Sequence, residues 1–267
     1  MNEFSAVKKM PGIVGAKILK SAETCGEVIL LIKKTVIWGI RAPMNRKNVL
    51  SQMVEMGART FPVASLTVFF TGMVLALQTG FSFIKTFNEP LYVGRITGLS
   101  IVKELGPVLS AMVFSGRVGA SIAAELGTMK VTEQIDALYT LGTNPVKYLT
   151  VPRFLAAVTM LPLLTIYSDF LGVVGGFVVS NLRFRIPAPV YWDEIFALQL
   201  REVSHGLIKS VFFALIVVSI SCYKGLNTTD GAEGVGKSTT SAVVNSMVFI
   251  LIGDYFVSAL LVAVGIG

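Results

Sequence analysis

Charge, cysteine and histidine are all scarce in this sequence of 267 residues. Only 15% of its residues are Asp, Glu, Lys or Arg, against roughly 25% in ordinary soluble domains. This shortage of charge makes soluble folds a poor guide to the architecture. The chain has two cysteines and one histidine, and His205 has no second metal ligand near it in sequence. No metal site is therefore expected, and His205 is interpreted as an interfacial histidine just before a membrane span.

Long apolar runs take the place of the missing charge. Hydrophobic residues make up 53% of the chain, and stretches long enough to cross a bilayer core of about 30 Å recur along it. The third stretch is so long that it must tilt, kink near Pro162 or protrude. We predict an all-α integral membrane protein with five transmembrane helices, at about residues 60–80, 101–126, 151–180, 206–223 and 241–265.

The first 58 residues have a different character. They carry nine basic and four acidic residues. The apolar run 28–40 is broken by Lys33 and Lys34, and no small-residue cleavage site follows it, so a signal peptide is not expected. The pattern favours an N-terminal amphipathic helix in the membrane interface, whose lysines reach lipid phosphates; a solvated basic tail is the alternative. We divide the chain into this basic region, 1–58, and a transmembrane region, 59–267.

The basic residues also predict the orientation. With the N-terminus inside, 15 of them lie in cytosolic segments and five in outer loops, which favours a cytosolic N-terminus and an outer C-terminus. The net charge of +7 is then explained by topology and lipid contact, so a nucleic-acid partner is not expected. Cys25 and Cys222 both fall on or near the cytosolic side, where no disulfide is expected.

Residues 231–238, GAEGVGKS, match the pattern of a phosphate-binding loop. Such a loop needs a buried strand before it and a helix after it, but the flanks here are apolar segments of membrane length. The longest stretch outside the membrane is also too short for an NTPase. We interpret the segment as a cytosolic turn in which Ser238, Thr239 and Thr240 cap the last span. The chain is expected to bind no nucleotide or other cofactor and to have no catalytic residues.

A short polar helix is predicted at about residues 130–142, directly after the second span. Its spacing places two apolar side chains on one face and leaves polar ones exposed, and Gly142 ends it. Such a helix allows a cytosolic partner to push on the membrane helices. The residues expected to form this coupling surface are Glu133, Gln134, Ile135, Asp136 and Leu138.

Small residues recur at every fourth position of the second span. On a helix this spacing stacks them along one stripe, so that a neighbouring backbone can approach closely. The stripe consists of Ala111, Ser115, Gly119, Ala123 and Gly127.

Two charged residues are predicted near the outer mouth. Glu104 lies three residues into the second span and Lys209 three residues into the fourth, both counted from outside. Because charge is costly in lipid and tends to be paired, we expect an ion pair between them; snorkelling without a partner is the alternative. Lys209 or Lys103 can also bind a lipid phosphate there.

Arg117 falls near the middle of the second span. A buried acid is its expected partner, and Asp169 and Asp254 are the candidates because both fall near mid-span; direct contact with lipid is the alternative. Glu125 lies at the cytosolic boundary, where we expect it to orient the coupling helix.

A lipid-facing cavity is expected between the first, second and last spans. Gln78, near the outer end of the first span, can form a hydrogen bond with a headgroup; ordinary helix packing is the alternative for each candidate. The lining candidates are Leu75, Leu77, Gln78 and Tyr255.

Several unusual strings, in the right order, make the chain resemble the MlaE (YrbE) family of ABC-transporter permeases, which serve MCE-type lipid transport systems. The resemblance runs from about residue 60 to the C-terminus. Lys237 falls where the family often has arginine, which explains the accidental phosphate-loop pattern. The strings are ELGP at 104–107, GRVG at 116–119, AELGTM at 124–129, TEQIDAL at 132–138, PR at 152–153, LPL at 161–163, and EGVG at 233–236 followed by Thr239 and Thr240.

The resemblance implies a homodimer of five-span subunits in a bacterial inner membrane. Two cytosolic ABC ATPase subunits, which bind ATP and Mg, would lie below it, and an MCE-domain protein would lie on the outer side. The cargo would be phospholipid or a related lipid. Two other functions remain open: a self-contained secondary transporter or channel that uses Asp169, Asp254 and Arg117 as a relay, and a scaffold that moves nothing.

Overall fold

The computed structural model describes residues 3–41, 46–87 and 92–265. These residues form helices and no strand, which confirms the all-α prediction. Helices α4 and α6 contain π-helical turns, at Ile101–Leu105 and Ser115–Gly119 in α4 and at Val146–Thr150 in α6. The helices are α1 (Glu3–Arg41), α2 (Arg46–Gly57), α3 (Phe61–Phe87), α4 (Val93–Val131), α5 (Gln134–Thr140), α6 (Val146–Phe184), α7 (Ala188–Phe196), α8 (Leu200–Leu226) and α9 (Gly231–Ala263).

Five of these helices, α3, α4, α6, α8 and α9, are long and apolar enough to cross a membrane. Several begin earlier than the predicted spans: α4 begins at Val93, not about 101, and α8 at Leu200, not about 206. Helix α6 has 39 residues and continues through Pro162. At 1.5 Å per residue it is about 58 Å long, so it protrudes beyond the bilayer core.

Helices α3 and α6 pack through their backbones. A Cβ atom on Gly72 would collide with the carbonyl oxygen of Gly172, and one on Gly175 would collide with that of Phe69. The two helices therefore approach more closely than any larger residue at these positions allows.

The small-residue stripe of α4 packs against α8. Gly119 lies against Val217 and Ser221 of α8, and Gly127 lies against Thr228, two residues after α8 ends. The Ser115 hydroxyl donates to the Val243 carbonyl of α9. The predicted close approach is confirmed, and its partners are α8, the segment after it, and α9. All five stripe residues are buried: Ala111, Ser115, Gly119, Ala123 and Gly127.

Two short helices distinguish the ends of the bundle. Helix α5 joins the end of α4 to the start of α6, and α7 joins the end of α6 to the start of α8. Because successive spans run in opposite directions, α5 and α7 lie at opposite ends, called here the α5 end and the α7 end. The charge bias predicts that the α5 end is cytosolic.

Helix α1 lies across the α5 end. Glu27 accepts a hydrogen bond of 2.6 Å from the Tyr223 hydroxyl near the end of α8, and Gly39 approaches Val151 near the start of α6. Both partners belong to the same end of the bundle, so this part of α1 runs along the surface, as an interfacial helix does. Residues 1–2 and 42–45 of the predicted basic region lie outside the described residues.

Residues 231–238 form the first two turns of α9. No strand precedes them among the described residues, so the geometry of a phosphate-binding loop is not formed there. The predicted capping by Ser238, Thr239 and Thr240 is wrong, because the helix already begins at Gly231. The hydroxyls of Thr239 and Thr240 instead donate to backbone carbonyls four residues earlier.

Candidate functional site

Lys209 of α8 is the centre of an ion-pair network inside the bundle. Its side chain is 0% exposed, and its Nζ donates a hydrogen bond to Oε2 of Glu104 on α4. Oδ1 of Asp254 on α9 lies 2.5 Å from the same Nζ, at ion-pair distance without hydrogen-bond alignment. The predicted Glu104–Lys209 ion pair is confirmed, and Asp254 is a second partner that the sequence analysis assigned elsewhere.

A π-helical turn, Ile101–Leu105, carries the α4 contribution to this network. Pro107 follows it and has no N–H group to donate to the carbonyl of Lys103, so the regular α-helical pattern cannot continue there. A π turn adds a residue to one turn of helix and occurs often at functional sites. It redirects Lys103 and Glu104 relative to the rest of α4.

The network lies several turns inside the helices that carry it. Lys209 lies nine residues after the start of α8, and Asp254 lies nine residues before the end of α9, each about 14 Å along its helix. Glu104 lies eleven residues after the start of α4, or about 16 Å. Both helices begin earlier than the predicted spans, and the location of the pair near the outer mouth stays a prediction.

Two carboxylates share one ammonium in this network. A lysine ammonium removed from water is stable only when it is paired with an acid. Because two carboxylates pair with this one ammonium, the three groups together carry a net charge of −1 when all are ionised. Glu104 is 43% exposed and Asp254 25%, so the acidic side of the network is the open side. Glu104 is therefore better placed than Lys209 to meet a headgroup; phosphate binding by Lys209 or the half-buried Lys103 stays a prediction.

His205 belongs to the surroundings of this network. It is fully buried, lies one helical turn before Lys209, and is close to Lys103 and Glu104. The prediction that it lies just before the fourth span is wrong, because α8 begins five residues before it. The spacing of four residues from Lys209 is the sequence signal for this placement.

Arg117 does not have the predicted buried partner. Its side chain is exposed and lines a small polar cavity of about 90 Å³ together with Glu55, Arg59 and Glu125. It lies on the second π turn of α4, Ser115–Gly119, on the side that faces α2. The position of Arg117 along the helix indicates its depth, but not the direction in which its side chain points. The predicted pairing was therefore wrong.

The two acids assigned to Arg117 lie elsewhere. Asp254 binds Lys209. Asp169 of α6 is buried against the backbone of α4, where a Cβ atom on Gly106 would collide with its carboxylate. The predicted relay through Asp169, Asp254 and Arg117 is therefore not assembled in this structure.

Glu125 forms an ion pair with Arg153 at the start of α6. Its Oε2 accepts a hydrogen bond of 2.8 Å from Nη2 of Arg153, and the other terminal nitrogen of the guanidinium donates to the Leu149 carbonyl. Glu125 thus ties α4 to α6, and its predicted role in orienting α5 stays a prediction. Arg153 belongs to the PR string at 152–153, and no pattern in the sequence indicates that its side chain is buried.

The coupling helix α5 has the predicted amphipathic pattern. Ile135 is buried, and Leu138 packs against the main core. The three polar residues predicted to be exposed are exposed: Glu133, Gln134 and Asp136.

Helix α5 is also held in a fixed position relative to α4. Lys130, near the end of α4, forms an ion pair of 3.2 Å with Asp136. Left-handed residues bracket the helix, with Glu133 at φ 59° and Gly142 at φ 72°. Gly142 suits the second position because it has no Cβ atom. The ion pair and the two turns define the position of α5 against the end of α4.

The candidate lipid-lining residues point outward from a single chain. Leu77 and Gln78 are exposed on α3, Leu75 is half-buried, and Tyr255 on α9 is 71% exposed. A lipid cavity made from them requires a second, facing surface. The outward apolar face of α3 continues along its length as Val63, Leu66, Phe70, Val74, Leu77, Phe81 and Ile84.

The model of the family described as "Permease MlaE" matches residues 49–260. The chain belongs to the MlaE permease family. It is 43% identical over 252 residues to a probable ABC transporter permease protein of Rickettsia typhi, covering 93% of this chain and 96% of that protein. It is 44% identical over 223 residues to one from Synechocystis, covering 83% and 84%. TRIGALACTOSYLDIACYLGLYCEROL 1, a chloroplastic protein of Arabidopsis thaliana, is 36% identical over 239 residues, which are 88% of this chain and 65% of that protein.

Membership of this family makes the chain an ABC transporter permease, a membrane protein whose described residues include five apolar helices of membrane-spanning length. Within the matched region, 49–260, lie the Lys209 network, the Glu125–Arg153 ion pair and α5. Helix α1 lies before it.

Proposed function

We propose that this permease moves phospholipid, or a related lipid, between a bacterial inner membrane and an MCE-domain partner on the outer side, and so contributes to outer-membrane lipid homeostasis. It acts as a homodimer, with each N-terminus in the cytosol and each C-terminus outside. ATP and Mg bind to separate cytosolic ABC ATPase subunits, and no covalent chemistry takes place in this chain.

The observation that carries the proposal is the path of α4. One continuous helix carries Glu104 of the charge network near its α7 end and continues to α5 at its other end. Glu104 and Val131 are 27 residues apart, or about 40 Å along the helix. A rigid helix of this length can couple an event at the cytosolic surface to the lipid-accessible part of the bundle.

The lipid cargo is supported by the outward apolar faces. Helix α3 presents apolar side chains along its whole length, and α9 presents Tyr255 and Phe256 near the network. When two copies face each other, these surfaces enclose a cavity for acyl chains, with Glu104 and Gln78 as polar groups at its edge. The name of the Arabidopsis relative contains a galactolipid, which agrees with a lipid cargo.

The mechanism follows from the small-residue stripe. Closure of the ATPase dimer pushes on α5, whose ion pair through Lys130 transmits the force to α4. Because Gly119 and Gly127 leave no side chains to interlock with α8, α4 slides or tilts along that contact. This movement of α4 displaces Glu104 relative to Lys209, which changes the exposed, acidic side of the network. The same movement narrows the lipid cavity between the two copies.

A secondary transporter would use the same intramembrane charges without ATP. The Lys209 network is the observation that keeps this second function in consideration, since paired charges in a membrane often serve ion translocation. In that case the exposed surface of α5 would have no partner to bind.

The test is co-purification from membranes, with bound lipid and ATPase activity measured together. We expect wild type to retain a stoichiometric ATPase subunit and phospholipid, and Glu133→Lys/Asp136→Lys to lose the ATPase. Asp193→Lys is the matched control, because Asp193 is an exposed acid on α7 at the opposite end. A stable wild-type complex with no ATPase would favour the secondary transporter.

A further inference from the structure

An apolar groove lies between α1, α8 and α9, away from the Lys209 network. It encloses about 490 Å³ and is lined mainly by aliphatic and aromatic side chains. Ile29 of α1, Phe212 of α8 and Phe249 of α9 face it and are exposed in the isolated chain. We call it the α1 groove. Exposed apolar surface of this kind is stable only when lipid or another apolar surface covers it.

The groove has the depth of one bilayer leaflet. Along α8 it extends from Phe212 to Lys224, twelve residues or about 18 Å, against about 15 Å for half of a 30 Å hydrocarbon core. An extended acyl chain spans about half of that hydrocarbon core, so one chain can lie along the groove.

The rim of the groove is cationic. Lys224 lines it at the α5 end and has no ion-pair partner among the described residues. The nearby Glu27 accepts the Tyr223 hydrogen bond and faces a neighbouring cavity that also contains Lys34 and Lys130. An anionic headgroup at the level of the phosphates would complement the Lys224 charge.

We propose that the α1 groove binds one phospholipid of the α5-end leaflet, with an acyl chain along Phe212 and Ile216 and its anionic headgroup against Lys224. Phosphatidylglycerol is the chemical class of ligand that fits. The lipid is structural, because it fills the space between α1 and the bundle. It is distinct from cargo, since Lys224 and Lys209 are 15 residues apart on α8, or about 22 Å.

The first test is native mass spectrometry of the purified full chain. Wild type should retain one phosphatidylglycerol per chain, and Ile216→Trp, which fills the groove, should lower retention at least about tenfold. Lys224→Met should remove the preference for phosphatidylglycerol over phosphatidylcholine. Val248→Trp is the matched control, because Val248 is an exposed apolar residue of α9 outside the groove, and it should retain lipid as wild type does.

The two cysteines provide a second readout. Cys25 lines the groove and is exposed, whereas Cys222 is fully buried. In delipidated protein in detergent, palmitoyl-oleoyl phosphatidylglycerol should protect Cys25 from a maleimide reagent, and the phosphatidylcholine analogue should protect it far less. An unreactive Cys222 shows that each variant is folded.

Equal protection by both lipids, or lipid retention unchanged in Ile216→Trp, would overturn the proposal. So would a segment of another protein that cross-links to Cys25 in membranes and fills the groove. Lipid binding in the α1 groove is independent of transport, and these measurements need no ATPase. Tyr255→Ala, at the proposed cargo surface, should leave the protection of Cys25 unchanged even where transport fails.

Discussion

The ammonium of Lys209 lies 2.5 Å from the Asp254 carboxylate, so a side chain of α8 is tied to α9 inside the bundle. The same ammonium binds Glu104 of α4. One lysine thus connects three membrane-spanning helices, and its removal would leave two carboxylates without a partner. This relationship makes the network both a structural element and the candidate site of lipid contact.

Lys209→Met should destabilise the protein strongly. Removing one partner of a buried ion pair costs about 3–5 kcal/mol, because the remaining charges are left unpaired. The measurement is the thermal unfolding midpoint of purified protein in detergent. Lys85→Met, at an exposed lysine of α3, is the control and should leave the midpoint unchanged.

The triple variant Glu104→Gln/Lys209→Met/Asp254→Asn separates stability from function. With all three charges removed, most of the lost stability should return, because no buried charge lacks a partner. Transport should stay impaired if the acidic side of the network contacts lipid. Full transport by a stable triple variant would show that the network is structural only.

The Glu125–Arg153 ion pair should contribute more to stability than an exposed one. Arg153→Met removes a hydrogen-bonded guanidinium that is 7% exposed and should cost about 1.5–3 kcal/mol. Arg59→Met breaks an exposed pair with Glu55 and should change stability by less than about 0.5 kcal/mol. Equal shifts of the unfolding midpoint for both variants would show that burial does not strengthen the Arg153 contact.

The glycine contact between α3 and α6 predicts a sharp difference between two glycines. Gly72→Ala should destabilise by about 1–3 kcal/mol, because its Cβ meets the backbone of Gly172 and the helices must move apart. Gly236→Ala, in α9 with nothing within 4 Å of the added atom, should be neutral or stabilise by up to about 1 kcal/mol. Thermal unfolding of both proteins decides the point.

Tyr191 on α7 predicts an alkaline limit to stability. Burial, and secondarily the nearby Glu194, raise the pKa of its hydroxyl above the ordinary value of 10.0, and the hydroxyl donates to the Val173 carbonyl. Since the folded-state pKa is raised, this contribution is complete below pH 10 and is lost as pH rises above it, where the unfolded chain ionises first. At pH 8, Tyr191→Phe should have a lower thermal unfolding midpoint than wild type. Between pH 8 and 11, however, the midpoint of Tyr191→Phe should fall by less than that of wild type.

The sequence could predict the Glu104–Lys209 ion pair because both depths were counted from the same end of the bundle. The predicted starts of α4 and α8 were both too late by a similar number of residues. These errors cancelled in the relative depth of Glu104 and Lys209. They did not cancel for His205, which lies within α8 instead of just before it. The spacing of Ile135 and Leu138 was sufficient to predict which face of α5 is buried, because an isolated amphipathic helix has only one face to bury.

The direction of Arg117 could not be predicted in the same way. Position in a span fixes depth, whereas direction depends on the helical register, which two π turns in α4 alter. A π turn arises from tertiary packing and from residues such as Pro107, and its effect on residues further along the helix has no simple pattern in sequence. The same limit explains why Asp254 was assigned to Arg117 rather than to Lys209.

The most direct test of the central claim is lipid transfer in proteoliposomes that contain the permease and its cognate ATPase. A fluorescent phospholipid should move only when ATP is hydrolysed. Glu133→Lys/Asp136→Lys should abolish this movement. Asp193→Lys is the control and should still bind the ATPase. Transfer driven by a proton gradient without the ATPase would contradict the account and make the chain a secondary transporter.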